Sequence, residues 1–437
     1  MTYPTMIETN TIQKYKATGI DWMPEVPVNW FFKRGKALFK ERTMKGYPNE
    51  SLLAASQKQG VVLKEMLEQR SMEAIQNFES FKLVEKDDYV ISLRSFEGGI
   101  EFAYFRGIIS PVYSIFYFRD GNAYNRDFYK YLFKSRMFIQ ELNVFKKGIR
   151  DGQSISFSEF ANIYLPVPPK DEQDEIVQYI KAKEEKIVRF IEKKQRFIEL
   201  LKEQRQSIID EAVVNGINPN VKFKNTSFDW LGTIPEHWKI RRLGTIGSFS
   251  KGGNISRAEL VENGIPAILY GDIYTKYDIE AKSIINRIEE ETAANSIKIE
   301  KGDLLFTGSG ETKEDIGKCI AFNGDNEVYV GGDVIIFKQN EFDSHFISYS
   351  QNSSFAKYQK AVSSKGDIIV HTFGSKLRDI VMPYPPTIEE QKQIVTHIKT
   401  ETATIDTAIA KAEREIELIR EYKGAMIAEA VMGKRNK

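Results

Sequence analysis

The sequence is poor in the residue types from which most catalytic centres are built. It has one cysteine, Cys319, so no disulfide framework can form and a reducing cytoplasm is the expected compartment. Its four histidines, His237, His345, His371 and His397, are scattered. None stands at metal-ligand spacing from a cysteine or carboxylate, so no metal site is expected. His397 falls on a helical stretch and reads as a solvated residue. There is no run of about 18 apolar residues and no charged-then-apolar leader, so neither a membrane span nor a secretion signal is expected. Excess charge of either sign is missing too: 62 Lys and Arg stand against 61 Asp and Glu. That balance argues against a protein that grips nucleic acid by bulk charge, but it leaves room for a local basic surface or for partners that supply phosphate contacts. With 41% hydrophobic residues the chain is not of the disordered class, and 437 residues suit two to four domains.

Enzyme motifs are also missing. Gly308-Ser309-Gly310-Glu311-Thr312-Lys313 resembles a phosphate loop only superficially, because its spacing does not bring a lysine and a hydroxyl to phosphates and Mg²⁺. Gly317-Lys318 is followed by Cys319 rather than Ser or Thr. No Asn- or Asp-Pro-Pro-aromatic tetrapeptide of the amino-methyltransferase kind is found. Pro385-Pro386 lies between Tyr384 and Thr387 and reads as a strand exit before a helix. No catalytic residue and no metal ligand is therefore assigned, and the chain is expected not to be an enzyme.

What is present is a sequence written nearly twice. Lys14-Tyr15-Lys16-Ala17-Thr18-Gly19-Ile20-Asp21-Trp22, then Pro27 and Trp30, returns as Lys222-Phe223-Lys224-Asn225-Thr226-Ser227-Phe228-Asp229-Trp230, then Pro235 and Trp238, at an offset of 229 − 21 = 208. Leu165-Pro166-Val167-Pro168-Pro169 with Glu172-Gln173 returns as Met382-Pro383-Tyr384-Pro385-Pro386 with Glu390-Gln391. Between these matched ends the sequences diverge. Two constant frames around two variable inserts suit two different readers held in one geometry.

Each repeat closes on a helical stretch, 171–215 and 388–432. In steps of four and three the first runs Ile180, Glu184, Ile187, Ile191, Lys194, Ile198, Leu201, Arg205, Ile208, Ala212. The second, in the same register, runs Ile398, Thr402, Ile405, Ile409, Ala412, Ile416, Ile419, Lys423, Met426, Ala430. Such a seam predicts a coiled coil rather than two ordinary amphipathic core helices, and a pseudo-twofold axis crossing it makes the pair antiparallel. Asp171 is expected as one N-cap, Thr387 with Glu390 as a capping box, and Gly216 and Gly433 as C-terminal glycines. Val188, Phe190, Phe197 and Leu200 widen the first helix's apolar stripe beyond the seam. Either a partner or the chain's own globular parts cover it. The interface residues expected on the helices are Ile180, Ile187, Ile191, Phe197, Ile198, Leu201, Ile398, Ile405, Ile409, Ile416 and Ile419.

The other parts read as strand-rich with helices mixed in. Tyr89–Leu93, Tyr113–Phe118, Leu304–Phe306, Val328–Val330 and Asp333–Lys338 are β-branched or aromatic runs, whereas Arg126–Leu142 and His345–Lys360 read as helical. The expected class is α+β, with globular parts at 1–165 and 217–382 and long helices at 166–216 and 383–437. Loops mixing basic, small and aromatic residues are the candidate DNA contacts, since glycine admits close approach and Arg, Lys, Asn and Gln hold phosphates or read base edges. They offer Arg94, Ser95, Lys146, Lys147, Arg150 and Gln153 in the first part. In the second they offer Lys251, Asn254, Tyr270, Ser309, Thr312, Lys313 and Lys365. Any one of these loops alone could be an ordinary turn; their recurrence in both parts is the signal.

The ordered set of motifs resembles the specificity subunit of type I restriction–modification enzymes over nearly the whole chain. It comprises the two Asp-Trp…Pro…Trp starts, Ile91–Ile100 with Gly107-Ile108-Ile109-Ser110-Pro111, and Gly302–Phe306. It also includes Pro166–Val177 and Pro383–Val395, and the closing Glu211-Ala212-Val213 and Glu429-Ala430-Val431. The resemblance implies two target recognition domains, each reading half of a split site in double-stranded DNA, with the helical pair as a ruler. It also implies two methyltransferase subunits docked on the helices and restriction subunits joining them. Those partners, not this chain, would bind S-adenosylmethionine, ATP and Mg²⁺. One departure stands out: the stretch from Trp30 to Asp88 has no counterpart of Gly264-Ile265-Pro266…Gly271-Asp272, so the half-sites are expected to differ. The rival readings are an enzyme with a disguised site and a coiled-coil scaffold with two protein-binding heads that does not touch DNA.

Overall fold

The computed structural model describes residues 14–67, 78–144, 155–366 and 370–434. The chain divides into two units, Met1–Lys194 with Arg414–Lys437, and Gln195–Glu413. Both are mixed α and β, as the alternation of strand-like and helix-like stretches predicts.

In the first unit a hairpin, Tyr15–Ala17 with Glu25–Pro27, precedes the strand Phe31–Arg34, which pairs antiparallel with Tyr164–Val167. That pairing closes the variable insert at its base. Inside it lies an antiparallel sheet ordered Phe39–Arg42, Ser114–Phe118, Tyr89–Ile91, Glu101–Phe102. The core is aromatic. Phe39 is fully buried, with ring centroids 5.1 Å from Phe116, 5.6 Å from Tyr89 and 5.7 Å from Tyr129. Edge-to-face pairs of this kind each add about 0.5–1.5 kcal/mol beyond area burial. The helix expected over 126–142 is two helices, Arg126–Lys134 and Arg136–Val144. They break at Ser135, which is extended, with its hydroxyl donating to Leu132 O at 2.7 Å.

The second unit repeats the frame: a hairpin of Phe223–Asn225 with Thr233–Pro235, then Lys239–Arg242 paired antiparallel with Val381–Tyr384. Its insert differs. One five-stranded sheet runs Ser248–Lys251, Val334–Lys338, Leu304–Thr307, Cys319–Phe322, Glu280–Ala281. A second carries Ile265–Ile268 beside Val328–Val330. The cores between them are mainly aliphatic, built on Ile268, Leu305, Ile320, Val330 and Ile336. The helix expected over 345–360 is interrupted at Asn352, whose amide accepts from Cys319 N (3.1 Å) and donates to Cys319 O (2.6 Å).

The long helices span Lys170–Asn215 and Ile388–Val431, 46 and 44 residues. In the first unit Ile176, Ile180 and Ile187 share a core with Met426, Ala430 and Val431. Two ion pairs, Glu184–Lys423 at 3.0 Å and Lys194–Glu415 at 2.5 Å, link the helices. Rising numbers meet falling ones, so the helices are antiparallel. The second unit shows the same sense: Arg205 pairs with Asp406 at 2.8 Å, and Ile209 to Val213 pack with Ile394 to Ile398. Polar seam positions therefore carry interhelical ion pairs, a device that fixes register.

Two helix-end expectations are corrected. Asp171 is not the N-cap: the first helix begins a residue earlier, Gln173 N bonding Pro169 O at 3.0 Å, which leaves Asp171 in the first turn, where an acid suits the helix dipole. Thr387 accepts from Glu390 N at 3.4 Å, but the return bond of a capping box is absent. The Glu390 carboxylate is drawn instead to Trp238 Nε1 (2.9 Å) and His237 Nε2 (3.0 Å). Gly216 and Gly433 end their helices at φ 73 and 77, the left-handed region. A Cβ on Gly433 would stand 2.5 Å from Pro27, and one on Gly216 3.2 Å from the Trp238 ring. The repeated Pro and Trp thus form the seat on which a helix ends in each unit.

Trp238 is fully buried, so its indole N–H depends on Glu390. We expect Glu390→Ala to destabilise the second unit by about 1.5–3 kcal/mol, the range for a charge-assisted bond whose loss orphans a buried donor. Urea unfolding measures it, and a loss below about 0.5 kcal/mol would show that the clasp contributes nothing.

Candidate nucleic-acid interface

Three backbone segments of the second unit, Ser250–Asn254, Thr307–Gly310 and Val330–Val334, meet at the end of the five-stranded sheet that carries Ser248–Lys251. Gly252 N bonds Val334 O at 2.8 Å, Gly253 N bonds Val330 O at 2.9 Å and Gly308 N bonds Asp333 O at 2.7 Å. Glycine is required at this junction: a Cβ on Gly252 would stand 2.1 Å from Gly331 O.

Three clefts open around the junction and share walls. The first, about 420 Å³, is lined by Phe249, Lys251, Ser309, Asp333, His371, Thr372, Phe373 and Arg378 among others. The second, about 720 Å³, shares Lys251, Gly332 and Asp333 with it and adds Asn254, Arg257 and Tyr270. The third, about 920 Å³, shares Arg257 and Tyr270 with the second and reaches Lys202, Arg205 and Lys357. The shared residues make the three clefts adjacent parts of one indented surface, the groove.

Its charge is uneven in a way the chain's total hides. Most acids of the groove are engaged within the fold. Asp272 accepts from Leu269 N at 2.9 Å and pairs with Lys276 at 2.9 Å. Asp278 pairs with Arg205. Glu259 accepts from Ser256 N at 2.7 Å and from its hydroxyl at 2.6 Å, and the Ser256 side chain holds its carboxyl below the usual range. Asp315 accepts from the Thr312 hydroxyl at 3.1 Å. The cations Lys251, Arg257 and Arg378 are exposed and, among the described residues, have no carboxylate in ion-pair range. Tyr274, which lines the third cleft, is pushed up to about 12 by burial, and its hydroxyl lies 2.7 Å from that of Thr307. The groove thus offers unpaired cations, amide and hydroxyl groups and two rings, a set suited to phosphates and base edges.

Of the residues singled out in the sequence, Lys251, Asn254, Tyr270 and Ser309 come together in this groove. Ser309 is buried, its hydroxyl 3.0 Å from His371 Nδ1, so it orients that ring rather than facing outward. Thr312 and Lys313 are exposed on a turn beside the groove, where Thr312 Oγ1 accepts from Asp315 N at 3.3 Å. Lys365 is exposed next to it, joined to His371 by reciprocal backbone bonds of 3.1 and 2.8 Å. Sequence reading missed Arg257, His371, Phe373 and Arg378. Phe373-Gly374-Ser375-Lys376 meets the same aromatic, glycine and basic criterion and could have been flagged. Gly374 lets that turn close on the strand, since a Cβ there would lie 2.9 Å from Phe249 Cβ.

In the first unit Arg94 is exposed but Ser95 is buried, its hydroxyl accepting from Ser92 N at 2.8 Å. Lys134 Nζ locks the loop from below, donating to Gly98 O (2.9 Å) and Glu101 (2.6 Å). Lys146, Lys147, Arg150 and Gln153 lie outside the described residues. On the helices Ile180, Ile187, Ile198, Ile398, Ile405 and Ile416 are buried, and Ile191, Leu201, Ile409 and Ile419 are half-buried. Phe197 stands off the seam at 44% exposure. Val188 and Phe190 in the first unit, and Leu200 in the second, are likewise exposed. No group of residues suited to a metal ion occurs among the described residues, nor any helix long and apolar enough to cross a membrane.

The chain matches the family described as the type I restriction modification DNA specificity domain twice, over residues 27–206 and 235–418. It is 25% identical over 214 residues to the putative type I restriction enzyme MjaX specificity subunit of Methanocaldococcus jannaschii, covering 47% of each chain. It is 24% identical over 281 residues to the type I restriction enzyme MjaVIII specificity subunit of the same organism, covering 63% of each. To the type I restriction enzyme EcoKI specificity subunit of Escherichia coli it is 24% identical over 211 residues, 46% of this chain and 44% of that one. The chain thus spans less than two thirds of the length of these relatives. Its fold is similar to that of a chain solved in work on complex assembly and conformational transition of the type I R-M system. That likeness has a TM-score of 0.65 at 15% identity, over 94% of this chain and 99% of that one.

Proposed function

Because the chain belongs to the type I restriction modification DNA specificity family, we propose that it is the DNA sequence-recognition subunit of a type I restriction–modification complex. Each recognition domain reads one half of a bipartite site in double-stranded DNA, and the paired helices set the spacing between the halves. The observation that carries this reading is the groove of the second unit, where Lys251, Arg257 and Arg378 stand unpaired while most neighbouring acids are tied up within the fold. A scaffold with no DNA contact has no use for such a surface. The exposed stripe of Val188, Phe190, Phe197 and Leu200 is the surface offered to two methyltransferase subunits, which restriction subunits join. The chain itself carries out no reaction. S-adenosylmethionine, ATP and Mg²⁺ belong to the partners, and the complex works in the cytoplasm.

The test is methylome sequencing of cells expressing the chain with its methyltransferase partner, against the same cells without the chain. A split motif of two unlike half-sites with a fixed gap should be seen and should vanish with the chain. An unchanged pattern under an active methyltransferase would overturn the recognition role in favour of the scaffold with two protein-binding heads.

A further inference from the structure

We infer that Asp333 is a specificity-determining residue of the second unit, its carboxylate accepting a hydrogen bond from the exocyclic amino group of a cytosine in that unit's half-site. The inference rests on the DNA-reading function proposed above and names one of the bases read.

Asp333 is central to the groove, lining both the first and the second cleft, as Lys251 does. It sits on the turn Gly331–Val334, closed by Val334 N to Gly331 O at 3.1 Å. The turn is clamped from three sides, by the bonds of Gly252, Gly253 and Gly308 already described and by Gly331 N to Ile268 O at 2.9 Å. The backbone beneath the carboxylate is therefore fixed.

The side chain has no task in the fold. It is exposed, and among the described residues it neither accepts a hydrogen bond nor forms an ion pair, even with the lysine that shares both clefts. Glu259, Asp272, Asp278 and Asp315 all have such tasks. Glu311, the other unengaged acid of the groove, stands on the exposed turn leading to Asp315 and lacks the clamp.

A fixed negative charge among cations that face phosphates weakens binding to every DNA sequence. What it can add is discrimination. An ionised carboxylate only accepts hydrogen bonds. In the major groove guanine offers O6 and N7 and thymine offers O4, all acceptors that repel it. Adenine offers an amino group, but beside the N7 acceptor, which opposes the second carboxylate oxygen. Cytosine presents its amino group with no acceptor on the same base edge. Of the four bases, cytosine is the one this group selects.

The experiment uses the complex of the full chain with its methyltransferase, as wild type, Asp333→Ala and Asp333→Asn. It reads the methylated motif and the affinity for a duplex that lacks the motif. The wild-type motif should contain a cytosine in one half-site. In Asp333→Ala, discrimination at that position should fall roughly tenfold, while the other half-site and the gap stay the same. Both variants should bind the non-cognate duplex several-fold more tightly at low salt. A wild-type motif without cytosine in either half-site, or an unchanged motif in Asp333→Ala, overturns the inference and leaves the recognition function standing. Loss of the split motif's dependence on this chain would instead overturn the function, and this inference with it. Should a variant methylate nothing, the non-cognate affinity decides: tighter binding supports Asp333 on the DNA face, and unchanged binding rejects it.

Discussion

Raising the pH from about 7 to about 9 will stabilise the second unit, and Lys360→Met will remove most of that gain. Lys360 is buried, its side-chain amine donating to Gly317 O at 2.7 Å and Gln351 O at 2.6 Å, and burial pushes it down from its ordinary 10.5 to about 7. Between those values the unfolded chain holds a proton that the folded chain does not, so stability rises with pH through the window and is flat below it. One such group contributes about 1.4 kcal/mol per pH unit. The upper end is cut short by Cys319, whose buried thiol is pushed above its ordinary 9.0. Its contribution is present below 9.0 and lost above it as the unfolded thiol ionises. The usable gain is therefore roughly 2–3 kcal/mol. Lys318, also lowered by burial, acts in the same direction and remains in the variant. Urea midpoints of the full chain across this range give the slope. An equal slope in wild type and Lys360→Met would show that Lys360 is charged in the fold. Absolute stability is the poorer readout, because methionine also strips two carbonyls of their donor.

The same residues explain what could be read in advance. The long helices were legible because their information is local and periodic: seam isoleucines every three or four residues, and glycines where the left-handed turn is needed. The breaks at Ser135 and Asn352 were not, because they are set from a distance; Asn352 stops its helix while bonding the backbone of Cys319. Glycine content pointed to the loops that build the groove and so to Lys251, Asn254, Tyr270 and Ser309. It could not point to Arg378 or His371, which join that groove only because the turn at Gly374 packs against the strand carrying Phe249. Arg94–Gly99 shows the converse. Its composition matches a contact loop, yet Lys134 binds it from beneath and Ser95 faces inward, which leaves Arg94 as the exposed basic residue there.

Lengthening both helices by seven residues will widen the gap between half-sites and leave both half-sites as they are. The insertions belong between Lys194 and Arg205 of the first helix and between Asp406 and Glu415 of the second, near Ile198 and Ile416. There the pairs Lys194–Glu415 and Arg205–Asp406 are each retained. Seven residues restore the seam to the same face, so the isoleucine packing continues without a change of register. They add about 10 Å of helix, which bounds the added gap at roughly three base-pair steps of 3.4 Å. Each added base pair also turns one half-site about the duplex axis by about a tenth of a turn. Twisting the DNA opposes the full increment, and the expected gap is longer by about one to three base pairs. Inserting five residues instead carries the seam well off its face and should abolish methylation, as should seven residues in one helix alone. Motif sequencing separates the outcomes. A longer gap with both half-sites intact is the signature of a ruler. Altered half-sites at an unchanged gap would show that the helices shape the readers and do not measure the distance between them.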